Sequence, residues 1–458
     1  MGSGADPASG RGATGKAGGT GGTGGIGGLR GAGGLDSLVA GKPGPVLLLR
    51  LAIRNLLRNR RRTVLTMITV AFAVLFLNVW DSMLRGLETQ SYDNLIQYQT
   101  AHAKVYDEAW FELKDELPLD RSLEHPGSLL ERVRTVPGVA AAVPRIVFQA
   151  HLSDGRDQIP VQGLAIETAG SDSDVFRVPE AVVAGSYLPP DGRGLLLGSG
   201  LARLFDAEPG DWMTVLVRTR TGVWDARDIQ VTGVVTTGNP SIDQNSFLMG
   251  MAPARAMLDM EDRATELAIR FQGTARERAV LDRVEAAFAS DPDLLVAGWR
   301  EQESEFIALT EGKRGGGMVA MAIFVVVALV GVANTMLLAA FERTQEVGML
   351  LAMGMRRSSV RRLFLLEGAL TGLGAGALGA AVALIPIFYF ASHGIDFGAM
   401  FSEGTDIGYP VAGRVYWAVT PAAMVISWLG TSLLAAGASL YAAARASRLE
   451  PAEALRHV

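Results

Sequence analysis

The sequence predicts an α-helical membrane protein with four transmembrane helices in a 1+3 order and a large α+β domain inserted between the first and the second. Three observations carry that prediction. Four apolar runs, Thr63–Leu84, Gly315–Phe341, Gly368–Ser392 and Val415–Ala444, are each long enough to cross a bilayer core, which takes about 20 helical residues. Between the first two lies a mostly hydrophilic stretch, Arg85–Arg314, long enough to fold as a soluble domain. The arginines, finally, are distributed unevenly around these runs. Arg50, Arg54, Arg58, Arg60, Arg61 and Arg62 precede the first, Arg343, Arg356, Arg357, Arg361 and Arg362 join the second to the third, and Arg445, Arg448 and Arg456 follow the fourth. The third connection carries Asp396, Glu403 and Asp406 against Arg414. Basic residues in short loops mark the cytoplasmic side. Both termini and the 342–362 connection are therefore expected in the cytoplasm, and the insert on the opposite side of the membrane.

Composition agrees. The chain has 458 residues and a net charge of -5, with a mean hydropathy of +0.24. Nothing in its bulk charge points to a nucleic-acid partner. It has no cysteine, which fits an oxidising compartment and leaves no disulfide to hold the fold. The first apolar run starts late, is too long for a signal-peptide core and lacks a small-residue cleavage pattern, so it reads as an uncleaved anchor.

The elements follow in order. Residues 1–41 are dominated by glycine and have little apolar mass to bury, so a disordered tail is expected. Within it, Gly10 to Lys16 nearly matches a phosphate-binding loop, but Ala17 stands where magnesium needs a hydroxyl. Residues 42–62 form an amphipathic elbow: Arg50, Arg54 and Arg58 recur every fourth position beside Leu49, Ile53, Leu56 and Leu57. Such a helix is expected along the inner membrane surface, in contact with lipid. The first span, 63–84, carries Asn78 and Asp81 near its outer end, which read either as cavity lining or as a helix end among headgroups.

In the insert, 85–314, Arg145–Leu152 and Gln158–Leu164 read as strands joined by an Asp154-Gly155 turn. Gly194–Gly198, Met213–Thr219 and Asp228–Thr236 read as further strands, and Gly200–Phe205, Ala275–Ser290 and Glu301–Thr310 as helices. Strands beside helices without regular alternation predict an α+β domain. Gly/Pro-rich breaks point to a smaller subdomain at 190–240. The second span, 315–341, opens on Gly315, Gly316 and Gly317, which either interrupt the path from the preceding helix as a hinge or continue it as a lever. The remainder divides into a coupling hairpin at 342–362, spans at 363–392 and 415–444 around an outer loop at 393–414, and a tail at 445–458.

No catalytic, cofactor-binding or metal-binding set is expected. His102, His125, His151, His393 and His457 are scattered without ligand spacing. Gly198-Ser199-Gly200 lacks the spacing of a nucleophile elbow and reads as a strand-to-helix turn. Asp172 with Asp174, and Glu301 with Glu303 and Glu305, read as solvated faces. The informative stretch is Asn334–Leu370, in which a membrane helix enters a charged hairpin and leaves as another membrane helix. Val347, Leu350, Leu351 and Met353 give the hairpin an apolar knob between charged flanks, and Gly348 and Gly354 permit close approach or a turn. That shape suits a groove on a soluble partner. Asn334 and Glu367 are polar groups within spans. Glu367 reads either as a functional ionisable group or as the partner of a nearby arginine.

Glu342 to Gly348, Leu351 to Gly354, and Glu367-Gly368 resemble the coupling segment of ABC-transporter permeases of the MacB/LolC–LolE/FtsX type. Ala52 to Arg62 resembles that family's elbow, Val136 to Val139 and Gly198 to Ala202 with Pro209 to Asp211 its outer domain, and Glu450 to Leu455 its C-terminal end. The resemblance implies a non-enzymatic membrane subunit of a mechanotransmitting system. Two permease protomers, identical or different, would pair in the membrane. Two ATPase subunits carrying ATP and magnesium would dock on the hairpin, through Glu342, Arg343, Glu346, Val347, Gly348, Leu350, Leu351, Gly354 and Arg356. The scale of the chain is that of a LolC/LolE-like permease, which implies extraction of lipoproteins for a periplasmic carrier. MacB-like export of periplasmic peptides or small molecules, and FtsX-like control of cell-wall hydrolases, are the alternatives.

Overall fold

The computed structural model describes residues 44–168, 174–273, 276–396, 409–411 and 413–446. The glycine-rich tail with its near-match to a phosphate loop, Asp172, most of the 393–414 loop, and Glu450 to Leu455 lie outside the described residues.

Helix α1, Pro45–Arg58, starts with proline in its first turn and stops at Asn59, whose backbone leaves helical geometry. The elbow is thus a helix of its own, shorter than 42–62. Helix α2, Arg60–Leu95, runs on past Leu84 and closes in a π-helical turn, Ile96–Thr100. Its 36 residues span about 54 Å, well beyond a hydrocarbon core of about 30 Å. The first span therefore does not end near Asn78 and Asp81 but continues as a stalk into the domain. Asn78 is buried and accepts a hydrogen bond from Ser427 at 3.1 Å, while Asp81 pairs with Arg85 at 2.7 Å.

The domain contains β1 (Ala103–Asp107), α3 (Pro126–Arg134), β2 (Val139–Ser153), β3 (Gln158–Ile166), β4 (Val182–Gly185), β5 (Leu195–Gly198), α4 (Ser199–Leu204), β6 (Trp212–Arg218), β7 (Trp224–Val235), β8 (Ser246–Gly250), α5 (Met251–Leu258), β9 (Glu266–Phe271), α6 (Glu277–Phe288) and β10 (Leu294–Gly298). The strands form one sheet in the order β10-β1-β9-β2-β3-β8-β5-β7-β4, with β6 pairing both β2 and β7. The pairings β2–β3, β3–β8, β8–β5, β5–β7, β7–β6 and β6–β2 close a ring. Segment 190–240 is accordingly no separate subdomain. Its strands belong to a six-stranded barrel that also uses β2, β3 and β8.

The barrel follows from alternation. Ile146, Phe148, Ala150 and Leu152 point one way along β2 and pack with Val161, Met213, Val215, Val217, Phe247 and Met249. The other half of β2 joins β9, β1 and β10 in an antiparallel layer covered by α3 and α6, whose core includes Val105, Val133, Leu267, Ile269, Val284 and Phe288. At the β2–β3 turn, Gly155 takes a φ of 85° and Asp154 accepts hydrogen bonds from the amides of Arg156 and Asp157.

Five residues after β10, four of them in a single helical turn (Trp299–Gln302), helix α7 (Ser304–Glu342) leaves the domain and passes through Gly315, Gly316 and Gly317 without interruption. Helix α8 (Thr344–Ala352) and helix α9 (Arg357–His393) follow. The fourth apolar run is helical only from Pro421: helix α10 is Pro421–Ala446. Val415 instead lies in a strand, β12 (Arg414–Val415), paired with β11 (Ile395–Asp396). Pro421 sets the helix start, and the extended chain before it docks on α2, where Ser82 donates to the Ala418 carbonyl at 2.7 Å. Among the described residues four helices, containing Arg60–Thr100, Ser304–Leu338, Arg357–His393 and Pro421–Ala444, are long and apolar enough to cross a membrane. With the domain they make up an α+β membrane protein.

Candidate coupling site

The hairpin between α7 and α9 is built on a buried ion pair. Helix α7 ends as Arg343 leaves helical geometry, and Gly354, at a φ of 92°, turns the chain back after α8. Arg343 and Glu367 are both almost fully buried, at 6% and 4% exposed. Arg343 Nη1 donates to the two Glu367 oxygens at 3.3 and 3.4 Å. Its Nη2 donates to the Asn55 carbonyl at 3.2 Å, and Asn55 Nδ2 donates to Glu367 Oε1 at 2.6 Å. Removed from water, each charge here is held by its partners. Three elements, α1, the end of α7 and α9, thereby meet at one carboxylate. Outward from this cluster Arg62 donates to Glu342 at 3.3 Å, and Arg58 donates to Glu346.

The apolar knob faces the other way from the sequence expectation. Val347 is buried and packs with Met355, Val360, Phe364 and Ala443, and Leu350 and Leu351 lie half-buried against the same group. Gly348 is buried with them. Of the knob only Met353, the residue that follows α8, is exposed, at 66%, and it lies outward with Met349 of α8, at 51%. Periodicity located an apolar face, but an amphipathic helix with apolar residues on both sides does not say which one the bundle takes. Helix α1 keeps its expected apolar line exposed and packs on the bundle through residues outside that line. Leu48 and Ala52 are buried against Leu363, while Leu49, Ile53 and Leu57 are exposed. Arg50, Arg54 and Arg58 are exposed, as is Arg356.

The other anticipated positions lie apart. Asn334 is exposed on α7, about two and a half turns before Arg343. Gly315 and Gly316 face open space and Gly317 approaches Trp80 and Leu84 of α2, just beyond Arg314, which lies 3.8 Å from Glu88. Asn55, Arg62 and Met349 belong to the site and were not singled out by sequence. The only signal for Asn55 was its place between Arg54 and Arg58 on the elbow.

Where the stalks enter the domain, Asn239 donates to Gln99 at 2.6 Å and Gln99 donates to Glu303 at 2.9 Å. Glu303 is thus not on a solvated face, and burial raises its carboxyl above the ordinary range although Lys104 and Lys114 oppose this. Lys104 pairs with Glu266 at 2.8 Å, and its ammonium is lowered by burial, which that partner offsets in part. His102 is pushed down to about 4 by burial and then by Arg270. Its Nδ1 accepts from the Phe271 amide at 3.4 Å, as a neutral ring does. A cavity of about 270 Å³ opens here between the stalks and the sheet. Among the described residues no group of three or more His, Cys, Asp and Glu could hold a metal ion.

A family model of the MacB-like periplasmic core domain matches residues 63–287, and one of the FtsX-like permease C-terminal region matches residues 318–451, which includes α8 and Glu367. The chain belongs to the ABC-transporter permeases of the MacB/LolC–LolE/FtsX family. Within this family it is similar to the lipoprotein-releasing system transmembrane protein LolE of Haemophilus influenzae, 22% identical over 85% of this chain and 92% of that one. LolC of Neisseria meningitidis is 22% identical over 72% of this chain and 81% of its own. The macrolide export ATP-binding/permease protein MacB of Shewanella oneidensis is 33% identical over 29% of this chain and 18% of its own. In this permease the Arg343–Glu367–Asn55 cluster and helix α8 both fall within or beside the region shared with FtsX-like proteins.

Proposed function

We propose that this permease is the membrane subunit of a mechanotransmitting ABC transporter that releases lipoproteins from the inner membrane to a periplasmic carrier. In this reading α2 crosses first, the domain stands in the periplasm, and α7, α9 and α10 complete a 1+3 arrangement with both termini in the cytoplasm. A second protomer pairs in the membrane, and a separate ATPase subunit, holding ATP and magnesium, docks on each α8. The observation that carries it is α8 and its C-terminal end: two exposed methionines four residues apart, Met349 on the helix and Met353 just after it, beside a buried ion pair. Methionine adapts to a partner groove without a fixed shape. ATPase dimerisation would then move α7 and α9 together through Arg343 and Glu367, and the stalks would pass that motion to the domain, with Gly315, Gly316 and Gly317 as the bending point. Lipoprotein release is favoured over other cargo because the LolE and LolC alignments run through most of both chains. MacB-like export is the second reading, favoured by the higher identity to MacB and by the core-domain match.

The test is a paired substitution, Met349→Asp with Met353→Asp, followed by purification from native membranes. The protein is expected to insert and fold normally, to lose its ATPase, and to lose coupled ATP turnover. Retention of the ATPase would refute docking on α8, and lipid-modified cargo on the wild type would separate lipoprotein release from export of peptides or small molecules.

A further inference from the structure

Helix α1 has three faces, and only one packs against the bundle. Leu48 and Ala52 pack on Leu363 of α9, and Asn55 reaches Glu367. A second line, Val46, Leu49, Ile53 and Leu57, is exposed. A third, Arg50, Arg54 and Arg58, recurs every fourth residue and is exposed as well. An apolar stripe beside a basic stripe, on a helix that leads directly into a membrane span, fits the boundary between acyl chains and headgroups. The last member of the basic stripe has another task. Arg58 donates to Glu346 on α8, in a pair whose side chains are 54% and 43% exposed. An exposed pair of this kind is weak by itself and holds only where something else fixes the two side chains.

We propose that Arg50 and Arg54 bind the phosphate groups of anionic phospholipids, and that this contact reinforces the rotation of α1 already held by Leu48, Ala52 and Asn55 and so steadies Arg58 against Glu346, holding α8 in position for the ATPase. The inference rests on the reading of α8 as the ATPase dock. A guanidinium matches a phosphate with two parallel hydrogen bonds, which orients as well as attracts. Arg54 and Arg58 are separated by one helical turn, about 6 Å along the axis. A roll of one residue, about 100°, would carry Arg58 away from Glu346 and turn Arg54 out of the headgroup layer together. Lipid is the occupant, rather than a soluble phosphate, because the exposed apolar line runs beside the arginines and needs acyl chains to cover it.

The experiment has two readouts on the full-length permease. The first is retention of phosphatidylglycerol by the purified protein, measured by native mass spectrometry after reconstitution in phosphatidylcholine with and without phosphatidylglycerol. Arg50→Gln with Arg54→Gln is expected to weaken retention by on the order of thirty-fold. The second is ATP turnover by the complex with its co-purifying ATPase. Phosphatidylglycerol is expected to raise turnover several-fold in the wild type and not in the double variant. Arg58→Glu is expected to be uncoupled in either lipid, and Arg58→Glu with Glu346→Arg to regain coupling. Unchanged retention in the double variant, turnover indifferent to phosphatidylglycerol, or stimulation by inorganic phosphate in phosphatidylcholine alone would each overturn the inference. Lipid retention that depends on Arg50 and Arg54, with no ATPase bound by the wild type, would instead refute the docking reading and leave the lipid site standing.

Discussion

Helices α7 and α9 are almost the same length, 39 and 37 residues, and both are apolar, yet the bundle treats them differently. In α9 28% of the most apolar stretch is buried, in α7 only 6%. The difference lies in side-chain size. Gly368, Gly372 and Gly376 recur every fourth residue on α9, and α10 comes so close that an added Cβ would collide with Ser439, crowd Ser432 or strike Trp428. Gly379 meets the backbone of α2 at Ala71 in the same way. Small residues that let backbones approach are what hold helices together in lipid. Helix α7 has instead Met318, Ile323, Phe324, Val327 and Val330 turned outward. It meets α2 through Phe324 on Phe76, with ring centroids 5.6 Å apart, packs Val332 and Met336 with Val70, Ala375 and Ala442, and is strapped by Arg314–Glu88 and Arg343–Glu367. One helix is the centre of the bundle. The other packs a narrow line near its C-terminal end into the bundle and leaves most of its apolar surface exposed.

That contrast can be broken most directly at a glycine on each helix. Gly379→Leu is expected to cost more than about 3 kcal/mol and leave little folded protein, because the obstruction is backbone rather than a movable side chain. Gly331→Leu on α7, where nothing lies within 4 Å, is expected to change the melting midpoint by less than about 0.5 kcal/mol equivalent. Equal losses, measured by thermal unfolding in detergent, would mean that α7 is packed as tightly as α9. The strap comes next. Glu367→Gln leaves Arg343 buried without a counter-charge and is expected to destabilise by about 3–5 kcal/mol, whereas Glu367→Met with Arg343→Met is expected to cost far less. If the double variant is stable yet uncoupled from ATP turnover, the pair transmits motion. If it is stable and fully coupled, the strap is structural only. A smaller effect than at the strap is expected at the outer end. Replacing Gly315, Gly316 and Gly317 with alanine stiffens α7 by up to roughly 1 kcal/mol per residue and is expected to raise the melting midpoint while lowering coupled turnover. Wild-type turnover in that variant would remove bending there from the mechanism.

The same contrast shows what the amino-acid sequence can reveal. Four apolar runs and an α+β insert were legible because chain length and hydropathy are local properties. The start of α10 was legible too, in Pro421, but apolar Val415 to Val419 obscured it. Barrel closure was not legible. It depends on β3 pairing β8 and β5 pairing β7 in parallel, across many residues, with nothing in either strand to announce its neighbour. At the coupling site, Glu367 was legible as an anomaly, an ionisable group in an apolar run. That a nearby arginine pairs with it was one of the two readings and is what Arg343 does, but Asn55, 312 residues away, was not legible. The direction of the α8 knob was missed for a related reason. Val347 and Met349 are both apolar, and only the presence of Phe364 and Ala443 on one side decides which is covered.

Strand β2 has a consequence of another kind. Its 15 residues, about 50 Å of extended chain, belong to the antiparallel layer in their first half and to the barrel in their second. No linker separates the two parts, so there is no place where the barrel can be cut out and replaced by another head without severing a strand in its middle. Diversification of cargo in a chain built this way falls to the exposed turns, such as the one around Gly222 between β6 and β7, rather than to exchange of whole modules. An engineer who wishes to retarget the protein inherits the same restriction: loops can be rewritten one at a time, but a chimaera joined anywhere along β2 must reproduce its register on both sides at once.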